Sequence, residues 1–251
     1  MKAPRFAGPA QLEPVDEDWD RALAIVAHPD DLEFGAAAAV ARWTRQGKTV
    51  IYALVTSGEA GIDSMEPQRT AQIREAEQRA AAGIVGVRTV EFLGQPDGVL
   101  EYGLGLRRVV AAAMRRHRPQ IVITNNFRET WNGVALNQAD HIATGRAVID
   151  AVRDAGNRWV FTDDLVDAGV QPWNGVRQVW ATNSPHSTYG ADVSATLDLG
   201  VRSLYAHQEY LSGLRWAADE ARRFLASQAA AAGSRLGCRF ATQFEVFRMS
   251  G

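Results

Sequence analysis

Residues 21–47 read "RALAIVAHPDDLEFGAAAAVARWTRQG" and place a charged turn between two apolar segments. Segment 21–28 is a short apolar run of the buried-strand type, and segment 34–47 is an alanine-rich run closed by Gly47, which is typical of a helix. The turn between them contains His28, Pro29, Asp30 and Asp31. Adjacent carboxylates repel each other, so this turn is either simply solvated or arranged around a positive charge.

Strand-like and helix-like segments continue to alternate after this turn. The strand-like segments occupy 48–56, 87–94 and 120–126, and the helix-like segments occupy 67–86, 104–119 and 139–156. Nearly continuous apolar strands that alternate with helices are typical of a parallel sheet covered on both faces. The pattern therefore predicts an α/β fold: a Rossmann-like, doubly wound and mainly parallel sheet with helices on both faces.

The two ends of the chain are less regular. The C-terminal third predicts strand pieces at 176–183 and 191–199, a helix at 213–233 and a closing strand at 238–249. Residues 1–20 contain several prolines and an acidic end, which predicts an irregular arm over the surface. Because no linker or break in composition follows, residues 21–251 are predicted to form a single domain.

Composition narrows the class of protein. The 251 residues carry a formal net charge of −2 and no basic run, which argues against a nucleic acid or an anionic membrane as partner. Cys238 is the single cysteine, which argues against a disulfide framework and a thiolate metal cluster. No segment approaches the roughly 18 uninterrupted apolar residues of a membrane span. The sequence thus predicts a soluble, cytoplasmic protein whose metal ligands, if any, are histidines and carboxylates.

Chemically active residues leave two of the predicted strands at the same edge of the sheet. Ligands of open parallel sheets bind outside the carboxyl ends of the strands, where the strand order reverses. The first strand ends in the His28 turn, and the loop after the fourth strand, 125–138, leads to Asp140 and His141. The residues alone predict a hydrolytic metal site there, whereas capping of helices by the aspartates is the structural alternative.

Several ordered blocks of sequence resemble one known family. They are "AHPDD" (27–31), "VTSGEAG" (55–61), "REAEQRAAAGIVGV" (74–87), "FLGQPDG" (92–98), "ADH" (139–141) and "DVSATLDLGVRSLYAHQEY" (192–210). Together they resemble the PIG-L/LmbE-like family of zinc-dependent N-deacetylases, of the N-acetylglucosaminyl deacetylase type. The resemblance implies an LmbE-like deacetylase domain and the hydrolysis of an amide in an aminosugar-containing small molecule.

The resemblance also implies how the site works. One Zn²⁺ per chain would be bound by His28, Asp31 and His141, and a zinc-bound water would attack the N-acetyl or other N-acyl group with Asp30 as general base. Asp140 would support catalysis by orienting a ligand imidazole. Fe²⁺ or Co²⁺ could replace Zn²⁺ in such a ligand set. The partner is then a small molecule, and the sequence leaves a homo-oligomer open.

Substrate contacts are implied for a further set of residues, each of which has a plainer interpretation as a turn, core or solvated residue. The set is Glu59, Arg74, Asp97, Gln138 and His207. Gln138 stands where many relatives carry the first histidine of a His-Pro-Asp-His motif, and glutamine donates a hydrogen bond but delivers no proton at pH 7. His207 is the candidate for that missing help.

Two other functions stay open on the sequence. The first is an amidase of a larger aminosugar conjugate that bears a thiol or a lipid, with the same chemistry. The second is a non-catalytic, Rossmann-like binding module with a decayed site, which the glutamine at position 138 favours. The presence of Asp30 favours an enzyme, because a purely structural metal site does not need a base beside it.

Overall fold

The computed structural model describes residues 11–163, 169–214 and 219–249. Its strands form one eight-stranded sheet, and the bounds of these strands fix the frame of the molecule. They are β1 (Glu13–Pro14), β2 (Arg21–Val26), β3 (Thr49–Leu54), β4 (Thr89–Phe92), β5 (Ile121–Thr124), β6 (Gln178–Thr182), β7 (Tyr189–Asp192) and β8 (Ala241–Arg248).

The sheet is mainly parallel, as predicted. Its strand order is β1-β7-β8-β6-β5-β2-β3-β4, and only β8 runs antiparallel to its neighbours. The chain places β3 and β4 on one side of β2 and β5 on the other, where Ala22 pairs with Ile121. The order of the strands therefore reverses between β2 and β5, and a crevice is expected at their carboxyl ends.

Helices cover both faces of the sheet, which confirms the doubly wound architecture. They are α1 (Asp31–Gly35), α2 (Ala37–Arg45), α3 (Pro67–Ile84), α4 (Leu104–His117), α5 (Ala139–Gly156), α6 (Leu197–Tyr205), α7 (Gln208–Gly213) and α8 (Glu220–Leu236). Alternate residues of β2 enter different clusters: Val26 packs with α2 and α3, and Leu23 and Ile25 pack with α4 and α5. Successive side chains of a strand point to opposite faces, so β2 is buried on both.

The predicted strand at 191–199 is wrong beyond Asp192. Strand β7 ends there, and α6 begins at Leu197. The short alternation of apolar and polar residues suggested a strand, but Leu197, Val201 and Leu204 repeat at helical spacing and are all buried in one apolar cluster. The burial of that helical stripe decided the conformation.

The predicted irregular arm is partly joined to the sheet. Glu13–Pro14 pairs in parallel with β7. The ring centroid of Trp19 lies 5.4 Å from that of Trp43 and 6.1 Å from that of Trp180. Residues 1–10 of the arm lie outside the described residues. Aromatic burial of this kind fixes a segment that its own sequence leaves irregular.

Two predicted helices are interrupted. The helix predicted at 34–47 is divided at Ala36, which separates α1 from α2. The helix predicted at 213–233 covers the end of α7 and most of α8, and its residues 215–218 lie outside the described residues. Among the helices described, none is both long and apolar enough to cross a membrane.

Candidate metal centre

The turn after β2 places two neighbouring carboxylates in different directions. Asp30 has a φ of 100°, in the left-handed region that residues other than glycine seldom adopt, and Asp31 begins α1. The carboxylate of Asp31 accepts the backbone N–H of His28 at 2.9 Å. Asp30 stands at the N-cap position without a side-chain capping hydrogen bond, so the capping interpretation of this turn is wrong.

The three predicted metal ligands meet at one point. Nδ1 of His28 lies 3.2 Å from Nε2 of His141, and this Nε2 lies 2.9 Å from Oδ1 of Asp31. Nδ1 of His28 lies 3.8 Å from Oδ2, the other carboxylate oxygen of Asp31. Donor atoms around a tetrahedral zinc ion, bonded at about 2.0–2.1 Å, lie about 3.3 Å apart, so the set has the required dimensions.

The imidazole of His28 directs a lone pair to this point. Its Nε2 lies 3.1 Å from a carboxylate oxygen of Asp97 and 3.3 Å from one of Asp140. An ionised carboxylate only accepts hydrogen bonds, so Nε2 carries the hydrogen and Nδ1 carries the lone pair in the neutral ring. In the metal-free chain burial acts to lower the pKa of His28, but Asp140, Asp31 and Asp97 outweigh it and raise that pKa well above its usual value.

His141 is oriented in the same sense by Asn137. The Asn137 amide donates its NH₂ to the backbone oxygens of Asn126 at 2.7 Å and Arg128 at 2.9 Å, which leaves its oxygen facing Nδ1 of His141 at 3.0 Å. Nδ1 therefore donates, and Nε2 carries the lone pair. Asn137 is not among the site residues predicted from the sequence. The available signal was an amide one helical turn before a candidate ligand histidine.

These residues fit a divalent cation. Two imidazole nitrogens and one carboxylate face each other, and a positive charge among them stabilises this arrangement. Burial acts to raise the pKa of Asp31, but His141 and His28 hold that pKa far below its usual range, so the carboxylate is charged. All three side chains are buried or nearly so. A donor set of two imidazole nitrogens and one carboxylate oxygen suits zinc and related ions.

Asp30 lies beside this set without belonging to it. Its carboxylate is buried and lies 3.4 Å from Nη2 of Arg74. Burial raises the pKa of Asp30, while Arg74 opposes that rise. The guanidinium of Arg74 also donates to the backbone oxygens of Gly58 and Pro29 and lies 4.2 Å from the ring centroid of Tyr210.

A cavity of about 1040 Å³ opens over the site. It is lined by the three candidate ligands, by Asp30, and by the predicted substrate residues Arg74, Asp97 and Gln138. Trp131 also lines it and sets its ring edge against His141, with centroids 5.4 Å apart. Asn183, Ser184, Gln228 and Gln243 also line it, together with Arg235 and apolar side chains such as Phe224.

Two predicted substrate residues do not line this cavity. Glu59 instead accepts the backbone N–H of Asp97 at 2.9 Å. His207 is fully buried behind the Asp30 turn, with Nε2 at 3.5 Å from a carboxylate oxygen of Glu33. His207 is therefore buried away from the cavity, where the sequence predicted that it would contact the substrate.

Asp97 and Asp140 are engaged by the protein itself. Asp97 accepts the backbone N–H of Ala60 at 2.8 Å, and Asp140 accepts those of Gly98 at 2.7 Å and Leu100 at 3.1 Å. Both carboxylates then face Nε2 of His28, on the side of the ring away from the ligand point. Asp140 lies in the first turn of α5 and Gln138 holds the N-cap position, so the capping interpretation of Asp140 is also wrong.

Comparisons with known proteins agree with this geometry. A family profile described as PIG-L, GlcNAc-PI de-N-acetylase, matches residues 23–152. The chain is 28% identical over 193 residues to a diacetylchitobiose deacetylase of Thermococcus kodakarensis, which covers 76% of this chain and 70% of that protein. It is also 28% identical over 227 residues to a mycothiol S-conjugate amidase of Streptomyces coelicolor, which covers 81% of this chain and 73% of the relative.

A solved structure shares the fold. The N,N'-diacetylchitobiose deacetylase from Pyrococcus horikoshii superposes with a TM-score of 0.82 at 23% identity. The match covers 92% of this chain and 85% of that protein. At this level of identity the similarity establishes the architecture, and the reaction has to be argued from the site.

Proposed function

The chain belongs to the PIG-L family, described as GlcNAc-PI de-N-acetylases, and on this premise we propose that it removes an N-acetyl or other N-acyl group from an aminosugar-containing small molecule. It is a hydrolytic enzyme that acts on an amide bond, in line with relatives named as deacetylases and an amidase. The observation that carries the proposal is the convergence of two imidazole lone pairs and one carboxylate with the uncoordinated Asp30 beside them.

The proposed cofactor is one Zn²⁺ per chain, held by His28, Asp31 and His141. The orientation of both imidazoles by other side chains supports this assignment, because such partners keep the lone pairs directed at an ion. When bound, the ion supplies a Lewis acid that polarises the amide carbonyl and acidifies water. Fe²⁺ accepts the same ligand types, so metal analysis of the purified protein decides between them.

Asp30 is the proposed general acid and base. It takes a proton as water adds to the carbonyl carbon, and it returns a proton to the nitrogen as the C–N bond breaks. Its buried position at the cavity, next in sequence to a candidate ligand but outside the ligand set, supports this role. Arg74 at 3.4 Å keeps a positive charge next to the carboxylate.

Gln138 and Arg74 are the proposed substrate contacts among the residues predicted from sequence. Both line the cavity, and the amide of Gln138 at the start of α5 offers a hydrogen-bond donor to the carbonyl oxygen of the substrate. Asp97 acts on His28 instead, and Asp140 does the same. Glu59 and His207 are assigned no contact with the substrate.

A larger aminosugar conjugate is the second candidate substrate. The cavity of about 1040 Å³ reaches the upper end of the roughly 300–1,000 Å³ typical of small-molecule sites. Its lining includes Asn183, Gln228 and Gln243, whose amides offer hydrogen-bond partners to a second group of the substrate. The resemblance to a relative named mycothiol S-conjugate amidase also favours this candidate.

Product analysis tests the proposed function. The zinc-loaded chain is incubated with one aminosugar that carries either an acetyl or a larger acyl group, alone or as a conjugate, and the released acid and amine are quantified. We expect Asp30→Asn to bind zinc normally and to lose about 10²–10⁴-fold in kcat. Asp198→Asn, at an exposed position, serves as the control and should keep full activity.

Two results would count against the proposal. Full zinc occupancy with no acid released from any N-acylated aminosugar would reject the substrate class. An unchanged kcat in Asp30→Asn would reject the role of that carboxylate. The predicted cytoplasmic location and a homo-oligomeric state stay proposals of the sequence, and cell fractionation and light scattering test them.

A further inference from the structure

A buried polar cluster lies directly behind the Asp30 turn, on the side away from the cavity. Its members belong to different elements and are at most 2% exposed. They are Glu33 in α1, Gln78 in α3, Ser203 in α6 and His207 before α7. Buried polar groups are costly unless they satisfy each other, so a cluster assembled from four segments calls for a reason.

The cluster is connected to Asp30 through one hydrogen bond. The backbone N–H of Asp30 donates to Oε1 of Gln78 at 3.0 Å. Asp30 holds a φ of 100°, which strains any residue that carries a Cβ. A strained backbone persists only when its surroundings hold it in place, and the Gln78 amide is placed to do so.

Glu33 fixes the orientation of the Gln78 amide. Nε2 of Gln78 donates to both carboxylate oxygens of Glu33, at 3.1 and 3.3 Å. A carboxylate accepts and does not donate, so a flipped amide would set oxygen against oxygen on one side and NH₂ against N–H on the other. The amide oxygen is thereby directed at Asp30.

Glu33 is itself held by α6 and by the residue before α7. The hydroxyl of Ser203 lies 3.2 Å from Oε1 of Glu33, and Nε2 of His207 lies 3.5 Å from Oε2. The Ser203 hydroxyl also donates to the backbone oxygen of Ala81 at 2.9 Å, and the His207 contact is longer than an ordinary hydrogen bond. Contacts therefore run from α6 to Glu33 in α1, and hydrogen bonds continue from Glu33 through Gln78 in α3 to the backbone of Asp30.

We propose that Gln78, oriented by Glu33, is a positioning residue that holds the backbone of Asp30 so that its carboxylate faces the cavity. This inference rests on the proposed function for its catalytic consequence. The ligand Asp31 does not depend on Gln78 in the same way, because its carboxylate accepts the backbone N–H of His28 at 2.9 Å. Loss of Gln78 is therefore expected to affect the base and to spare the metal.

Hydrogen exchange tests the positioning claim without any substrate. Gln78→Met keeps the length of the side chain and removes the acceptor, and Gln72→Met makes the same change at an exposed position of α3. In the zinc-loaded full chain we expect the Asp30 amide to exchange about 10-fold faster in Gln78→Met, since a hydrogen bond of ordinary strength is lost. The amides of the β-strands in Gln78→Met should keep the exchange rates of the original chain. All amides in Gln72→Met, including that of Asp30, should keep them too.

Steady-state kinetics test the catalytic consequence. We expect kcat of Gln78→Met to fall by about 10–100-fold, the cost of a misplaced catalytic group, while KM and bound zinc per chain stay unchanged. Val148→Ala, in the apolar cluster on the other face of the sheet, controls for lost stability and should keep its kcat below its unfolding temperature.

A charge exchange provides a rescue. Gln78→Glu alone opposes two carboxylates, and we expect a low kcat. In the double variant Gln78→Glu/Glu33→Gln, the amide at position 33 can donate to the carboxylate at position 78, and the total charge equals that of the original chain. We expect its kcat to return to within about fivefold of the original value.

Two results would overturn the inference. The first is an unchanged exchange rate at Asp30 in Gln78→Met. The second is faster exchange with an unchanged kcat, which would show that this backbone contact does not position the base. If the original chain hydrolyses no substrate, the proposed function fails, and the exchange rates alone decide whether Gln78 holds Asp30.

Discussion

The two edges of the sheet use the same residue types in opposite ways. Where α4 ends, beside the amino end of β2, Nε2 of His117 lies 2.7 Å from Oε2 of Glu91 in β4, and Arg116 binds the other oxygen of that carboxylate. At the carboxyl ends, His28 and His141 face Asp31. The first group is partly exposed, with 19% of the His117 side chain accessible, whereas 4% of the His141 side chain is accessible.

The difference lies in what satisfies the charges. The carboxylate of Glu91 has Arg116 and Nε2 of His117 within reach. At the carboxyl edge, buried acceptors face one nitrogen of each imidazole, so the other nitrogen of each ring is directed at Asp31 and at the other ring. A histidine near an acid thus belongs to a partly exposed surface contact in one place and to a candidate set of metal ligands in the other. The second nitrogen of each ring makes the distinction.

The largest effect is expected from removing a candidate metal ligand. His141→Ala removes one of three ligands and leaves two, so we expect loss of bound zinc and of activity. Metal content per chain and acid release measure the two losses. His117→Ala, the matching change at the other edge, should retain both, and metal loss in that variant would show that the two histidines are not as different as their contacts indicate.

A smaller effect is expected from the residue that orients His141. Asn137→Ala leaves all three ligands but removes the acceptor at Nδ1, so we expect zinc affinity to fall by about 10–100-fold. Competition with a chelator measures the affinity. Gln120→Ala is the matched change at the amino edge, where that amide accepts the backbone N–H groups of Asp20 and Arg21, and it should leave zinc affinity unchanged. Equal affinity in both variants would contradict the role of Asn137.

The smallest expected effect concerns the amino edge. His117 lowers the pKa of Glu91 against the effect of partial burial, and Arg116 adds to the lowering. A carboxyl with a depressed pKa stabilises the fold above its unfolded-state pKa, and this contribution is lost as pH falls through the folded-state pKa. Glu91→Gln should therefore cost less than about 1 kcal/mol at neutral pH, because the pair is half exposed.

Urea unfolding of the original chain and of Glu91→Gln measures this contribution. The difference in free energy of unfolding should shrink as pH is lowered from about 7 through the unfolded-state pKa of the carboxyl and then through its lowered folded-state pKa. A difference that stays constant over this range would exclude the ion pair as its source.

Much of the frame was predictable because it depends on local patterns. The apolar runs that became β2, β3, β4 and β5 each alternate with a helix, and that order alone favours a parallel sheet. The predicted strand at 191–199 ran into the first three residues of α6, because those residues also alternate in polarity. The contacts of α6 with Leu225 of α8 decided the outcome, and a local pattern contains no such information.

The sequence by itself determined which residues could act at the site. The His28 turn and the Asp140–His141 pair follow strands whose carboxyl ends meet, so strand order and residue type were enough to bring three candidate ligands together. Asp30 stood out because a second carboxylate beside a ligand needs a purpose.

Only the tertiary structure decided how those residues are aimed. Asn137 and Asp97 select the nitrogen that each imidazole offers, and Gln78 holds a strained backbone from a helix 48 residues away in sequence. The tertiary structure also buries His207 away from the cavity and pairs part of the N-terminal arm with the sheet. A hydrogen bond depends on angles and distances of a few tenths of an ångström between distant segments, and residue type and spacing do not specify them.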